Sequence, residues 1–440
     1  MSFLAPYVLN LICSEGLQNW QRGLGEWRRK KSGKPHTVTV FLRINDPYSY
    51  ILLQVLERLS QRYNIEFDFR TILQLQEDMY PAPELWEKNA FADSAYLANI
   101  YSLDFPRSGP VSTIKRNQSA TAQLLHAELQ GDYLQHALAI FTAYWADNIE
   151  LLDTLIDPRI ARNTECYRHH LLANESLLKS KGHYLTAMLH YGEKPGGEWY
   201  WGLSRLEFLE QRLAAINAIK NHDIAAISQA PPVRNDALTG TNTSDTPIII
   251  YWSARSPYSY LGLVRARELS EHYGLDLIVK PVLPMVMRRM QVPQTKGMYI
   301  FKDTKREAKK YGIDFGFSAD PLGAGVERCY ALFDYAVSQG RGNRYLETFA
   351  RSVWAEGIDA ASDSGMKKIV TAAGLDWSIA KPLLQNDHWR EWAQENLLDM
   401  YDNGLWGVPS FRYGQLCTFG QDRLDRLEQA ISEERTGHKI

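Results

Sequence analysis

Ser256 opens the phrase SPYSY at residues 256–260, directly after an apolar run and directly before Pro257. A serine in front of a proline that starts a helix is an N-cap by type and position. The same position can also do chemistry. Unpaired N–H groups and the positive end of the helix dipole stabilise an anion there, a thiolate included, and a serine hydroxyl adds one more donor. The phrase alone fits both readings. A near copy, DPYSY, stands at 46–50 with Asp46 in place of the serine. A carboxylate there works against a bound thiolate, because two anions in one pocket repel and raise each other's pKa.

A second position of interest is Val408-Pro409 in GVPSFRYG. Proline is nearly the only residue that makes a cis peptide bond cheap, so a cis bond just before the strand and facing the first helix is expected. An ordinary proline at the entry of a strand is the alternative.

These residues need elements to position them, and the elements occur twice. Adding 210 to the residue number superposes Pro47, Tyr48, Ser49, Tyr50, Leu53, Leu59, Ser60 and Tyr63 on identical residues, 8 identities in 18 positions. The same offset places Phe91, Asp93, Ala98, Tyr101, Asp104 and Phe105 on Phe301, Asp303, Ala308, Tyr311, Asp314 and Phe315. Near the ends, YGEKPGGEWYWGLSRL from Tyr191 matches YGQLCTFGQDRL from Tyr413 with a small change of offset. Such repetition predicts two homologous modules. The expected layout is an N-terminal extension over 1–36, a first module over 37–221, a linker over 222–246 rich in Pro, Thr, Asn and Asp, and a second module over 247–440.

Each module begins with a β-branched or aromatic run, HTVTVFLRI or TPIIIYWSA, that reads as a buried strand. In PYSYLGLVRARELSEHYG, Tyr260, Leu263, Val264 and Leu269 recur at helical spacing and Gly274 supplies the stop. LDLIVKPVL is a second strand, so the unit is strand, helix, parallel strand. A mainly helical stretch from about 284 to 400 follows. GVPSFRYG, QLCTF and GQDRLDRLEQAISEE then give two strands and a closing helix. The predicted class is α/β, two thioredoxin-like domains, each with a helical insertion.

Taken together, YWSARSPYSYLG, TKGMYIFKD and GLWGVPSFRYGQLCTFGQDRL resemble the kappa-class glutathione transferase and 2-hydroxychromene-2-carboxylate isomerase family, in the DsbA-like branch of thioredoxin folds. The resemblance covers 247 to about 435, with 37 to about 215 as a diverged copy. In disulfide oxidoreductases of that branch the turn carries CPHC, whereas here SPYS occupies it. A turn without thiols cannot exchange disulfides by itself. The resemblance implies that glutathione supplies the thiol and that Ser256 hydrogen-bonds its thiolate. It further implies that Val408, before Pro409, pairs with the cysteinyl backbone of the tripeptide. Gln421 and Asp422 would receive the γ-glutamyl end, and Lys296 would balance the glycine carboxylate. Trp252 and Tyr258 would wall the substrate pocket. The asparagine that such proteins place shortly before the lysine has no counterpart in RRMQVPQTKG.

At the corresponding positions the first module has Asp46 for Ser256, Trp86 for Lys296, Ala187 for Pro409 and Ser204 for Asp422. Without proline at 187 a cis bond costs about 2.5–4 kcal/mol, so that loop is expected to be trans. The first module is therefore expected to have lost glutathione and to act as an intrachain partner in a pseudo-dimer, with homo-oligomers also compatible. The expected activity is a glutathione-dependent isomerisation or transfer on a small conjugated or aromatic electrophile. The alternative is a non-catalytic binding or assembly protein.

Composition narrows the field. A formal charge of −2, from 49 basic and 51 acidic residues, gives no global field for nucleic acid or an anionic membrane. Cys13, Cys166, Cys329 and Cys417 are far apart and form no CxxC pair, which predicts no metal cage and suits a cytoplasmic protein. Cys166, His169 and His170 lack a second ligand pair at zinc-like spacing. The N-terminal MSFLAPYVLNLICSEG has no basic stretch before its short apolar run and reads as packed chain.

Overall fold

The structure, a computed structural model, describes residues 5–75, 82–228, 246–290 and 294–436. The chain forms two compact units, one of Gln18–Ala230 and one of Met1–Leu17 with Pro231–Ile440.

The first unit has a four-stranded sheet of β1 (Thr37–Leu42), β2 (Glu66–Thr71), β3 (Met188–Tyr191) and β4 (Glu198–Trp201), in the order β2-β1-β3-β4. β1 and β2 are parallel; β3 is antiparallel to β1, and β4 to β3. Val38, Val40 and Leu42 alternate along β1 into the core, where Leu52, Leu56 and Leu59 of the Pro47–Arg62 helix meet them.

The second unit has β5 (Ile248–Trp252), β6 (Leu277–Pro281), β7 (Ser410–Tyr413) and β8 (Leu416–Phe419), in the order β6-β5-β7-β8 with the same strand directions. Its Pro257–Tyr273 helix is capped by Ser256 and ends at Gly274, which takes the left-handed conformation (φ +63°) that only glycine adopts freely. Ile248, Ile250 and Trp252 point into the main core, and Ile249 and Tyr251 point to the opposite face. Helices from Gln294–Lys310 to Trp389–Asp402 fill the stretch between β6 and β7.

Three boundaries differ from the sequence expectation. The N-terminal segment is divided, because Cys13 is buried in the core of the second unit and the Tyr7 ring meets Phe317 edge-on at 4.9 Å. The linker expected from 222 begins later. Ile227 is buried, and the N–H groups of Ile227 and Ser228 donate to the Glu210 carboxylate at 3.0 and 2.8 Å, so an apolar anchor and a buried acceptor hold this segment. The remainder of that linker, 229–245, lies outside the described residues, as do 291–293 in RRMQVPQTKG. Finally, the closing helix is preceded by a separate 3-10 turn, Gln421–Arg423 before Leu424–Thr436. Among the described residues no helix is long and apolar enough to cross a membrane.

Candidate active site

Ser256 leaves β5 in an extended conformation (φ −98°, ψ 112°), and its Oγ accepts the Ser259 N–H at 3.1 Å. The serine is half-buried. Among the described residues nothing accepts its own hydroxyl hydrogen, so one donor remains at the N-terminus of a 17-residue helix. The turn beneath it is fixed from several sides. Buried Ser259 accepts the Ser253 N–H, the Tyr330 hydroxyl accepts the Ala254 N–H at 3.3 Å and donates to Val282 O at 2.7 Å, and Arg255 forks onto Asp320. Complete burial raises the Tyr330 hydroxyl well above its ordinary pKa, so it stays protonated as that link.

The Val408–Pro409 bond is cis. Pro409 approaches the Pro257 helix where Gly262 leaves room; a Cβ there would lie 3.1 Å from Pro409 Cγ and 3.1 Å from Phe411 Cζ. Val408 is half-buried, and neither its N–H nor its C=O has a backbone partner among the described residues. An extended peptide could pair with both.

The sheet, the Pro257 helix and the 3-10 turn after β8 hold Ser256, Pro409, Gln421 and Asp422 on one domain, with Lys296 on the Gln294–Lys310 helix. Asp422 keeps 16 % side-chain exposure, with Oδ2 3.2 Å from Arg423 Nη1, and Lys296 is buried. Two sequence expectations need correction. Trp252 is fully buried, because strand alternation turns it inward with Ile248 and Ile250; it is a core residue and not a pocket wall. Gln421 is likewise inside, its Nε2 donating to Glu307 Oε2 at 2.7 Å and its Oε1 accepting from Arg265 at 3.0 Å. That side chain is committed to joining three elements and does not reach toward a ligand. The Tyr258 hydroxyl is also engaged, donating to Asp303 Oδ2 at 2.6 Å, while Arg306 pairs with the other oxygen.

Two sets of polar links were missed, Tyr258–Asp303–Arg306 and Arg265–Gln421–Glu307. The repeat carried part of the signal, since both Tyr258 and Asp303 match residues 210 positions earlier. Arg265 and Glu307 had no such sign.

The first unit arranges the same turn differently. Asp46 is buried and accepts from Tyr48 N at 3.2 Å, Ser49 Oγ at 2.6 Å and Thr186 Oγ1 at 2.9 Å. Ala187 follows Thr186 at φ +55° with no cis bond, as expected of the loop without proline. Trp86 packs against the core. His170, considered above with Cys166 and His169, bonds Glu128 Oε1 at 2.7 Å, and no group of three metal-binding side chains occurs among the described residues.

Residues 247–432 match the DSBA-like thioredoxin domain. Curated relatives of this part include the 2-hydroxychromene-2-carboxylate isomerase of Pseudomonas putida, 28% identical over 189 residues, which are 41% of this chain and 92% of that protein. The enzyme of the same name from Sphingobium xenophagum is 25% identical over 194 residues, 42% of this chain and 97% of that one. A solved selenomethionine structure of 2-hydroxychromene-2-carboxylate isomerase covers 43% of this chain and 98% of its own at 24% identity, with a TM-score of 0.38. The DSBA-like half thus has isomerases as relatives.

Proposed function

We propose that the DSBA-like half is a glutathione-dependent isomerase or transferase acting on a small conjugated or aromatic electrophile, and that the first half is a diverged copy that has given up this ligand. The observation that carries the reading is the spare Ser256 hydroxyl, half-buried at a helix N-terminus with its lone pair already committed to Ser259 N–H. Its remaining hydrogen suits an anion and nothing in the described chain uses it. The relatives are isomerases, which favours isomerisation over transfer.

The residues present fit glutathione. Val408 offers a peptide backbone an N–H and C=O that have no backbone partner among the described residues, and Asp422 and Lys296 supply one charge of each sign for the tripeptide's charged ends. Gln421 contributes by holding the turn that presents Asp422. When bound, glutathione would supply a nucleophilic thiolate for reversible addition to a conjugated double bond. Ser256 keeps that sulfur anionic by donating to it, and the helix dipole adds to the effect. The absence of a cysteine at 256 or 259 leaves no thiol of the turn to compete by disulfide exchange. The common strand order and directions of the two sheets, with the 210-residue offset of identical residues, support the copy reading.

Turnover of a conjugated aryl pyruvate with and without glutathione tests the proposal, together with retention on glutathione resin. Thiol-dependent isomerisation, with retention lost in Ser256→Ala and Asp422→Ala, is expected. No glutathione binding, or binding equal to wild type in both variants, would overturn the enzyme and leave a binding or assembly protein.

A further inference from the structure

The two sheets differ on the face turned away from the Pro47 and Pro257 helices. In the second sheet Ile249 and Tyr251 on this face are buried against Leu397, Met400 and Leu405. In the first, Thr39 stands where Ile249 does, and its β3 partner is His190, as Arg412 is the β7 partner of Ile249. Thr39 and His190 border a cavity of about 530 Å³ instead of an apolar helix, with Lys181, Arg212, Ala215 and Ile216 among its other walls. Turning a threonine and a histidine inward costs free energy unless they find partners, and this volume is in the range of small-molecule sites.

The charges around the cavity do not balance. Arg29 forks onto Glu26, and Lys34 lies 3.1 Å from Glu193. Arg22 and Arg212 share a single carboxylate, Glu198, at 2.8 and 3.3 Å. Lys181 has none within ion-pair distance among the described residues. Its Nζ lies 3.5 Å from His190 Nδ1. That imidazole is neutral at ordinary pH, because burial and the Lys181 and Arg212 charges push it down to about 3. Burial also lowers the Lys181 ammonium, although the Asp68 and Glu193 charges act in the other direction. The ring is held in place from behind, since a Cβ at Gly197 would lie 2.7 Å from His190 Nε2.

We propose that this cavity binds a small organic anion, with its acidic head on Lys181 beside His190 and its body against Ala215 and Ile216. The site lies in the half that lacks the Ser256 chemistry and is independent of it. A carboxylate or a phosphate ester would satisfy the same ammonium, and two probes with one body and different heads separate them. Benzoate and phenyl phosphate would be titrated calorimetrically into the full chain, up to about 10 mM. One of them should bind, and its identity names the head group. Lys181→Met should weaken it about tenfold or more, as loss of one member of a desolvated charge pair does. Thr39→Ile, which places the residue of position 249 in the cavity, should also weaken it without touching a charge. Ser256→Ala should leave it unchanged, which keeps this result separate from the fate of the glutathione proposal. Binding of neither probe, or wild-type binding in both Lys181→Met and Thr39→Ile, would overturn the proposal.

Discussion

At the turn out of β1, Asp46 is 1% exposed and gathers three donors, from Tyr48, Ser49 and Thr186. At the turn out of β5, Ser256 is half-buried, gathers one donor and has a hydrogen to spare. The surroundings of the two turns are alike. Tyr48 donates to Asp93 at 2.9 Å and Tyr258 to Asp303 at 2.6 Å. The Phe91–Phe105 and Phe301–Phe315 rings have the same 5.0 Å separation and 48° angle. Contacts present in both halves therefore serve the fold, and the differences concentrate where a ligand would sit. Leu52 and Ala187 occupy the positions of Gly262 and Pro409, so even the volumes are exchanged between helix and loop.

The comparison breaks most easily at the caps. Ser256→Ala should lower thiol-dependent turnover by roughly 10²–10³-fold, the usual loss of one donor to a reacting anion. The pKa of the bound thiol, followed by its ultraviolet absorbance, should rise. Asp46→Ala should leave turnover alone but cost about 2–4 kcal/mol of stability to denaturant, because three donors lose a common buried acceptor. If the two variants exchanged these phenotypes, the assignment of chemistry to one half and scaffolding to the other would be wrong.

Much of this was legible in the sequence because strands, caps and residues recurring at a fixed offset are local or periodic signals. Pro257 and Gly274 mark both ends of a helix, and the 210-residue offset aligns Tyr258 with Tyr48 and Asp303 with Asp93. What was missed depends on the direction of side chains and on chain brought from afar. Trp252 was expected to wall the substrate pocket, but strand parity sends it into the core. Gln421 is met by Arg265 and Glu307, 156 and 114 residues away, which no local pattern announces. Thr186, 140 residues from Asp46, is a similar case. Residues 1–17 belong with the second unit for the same reason, since an apolar Cys13 does not say which core it enters.

An exchange of volume sharpens the comparison further. Gly262→Leu installs the residue of position 52, and its side chain would press on Pro409 and Phe411, which already stand 3.1 Å from a bare Cβ. Overpacking of this kind costs about 1–3 kcal/mol. Glutathione affinity should fall along with stability, since the displaced loop carries Val408. A variant that lost stability but kept full affinity would separate that loop from the ligand.

Smaller effects are expected where the halves agree. Tyr258→Phe and Tyr48→Phe each remove one hydrogen bond to an aspartate and should each cost about 1 kcal/mol in chemical denaturation. Turnover per folded molecule should survive both. A large loss of kcat in Tyr258→Phe alone would move that tyrosine from the scaffold into the reaction.

The smallest effect lies on the outer faces of the sheets, where each half has a lysine. In the second half Lys280 lies 2.6 Å from Asp399 Oδ2, which also accepts from Tyr251 at 2.5 Å. Burial alone would raise the Asp399 carboxyl, but these two bonds, with the Lys280 and Arg412 charges, hold it below the usual range. A depressed carboxyl contributes stability above its unfolded pKa of about 3.9 and loses it as the pH falls through the lower folded value. Lys280→Met should therefore reduce stability near neutral pH and flatten the acid limb below about pH 4 relative to wild type. The side chains keep 27 and 32 % exposure, so solvent screening limits the difference to about 1 kcal/mol or less. Lys181 in the first half has no carboxylate within ion-pair distance among the described residues, so Lys181→Met should change the acid limb less than Lys280→Met does. Equal acid limbs for wild type and Lys280→Met would mean that the Lys280–Asp399 pair contributes nothing measurable to stability.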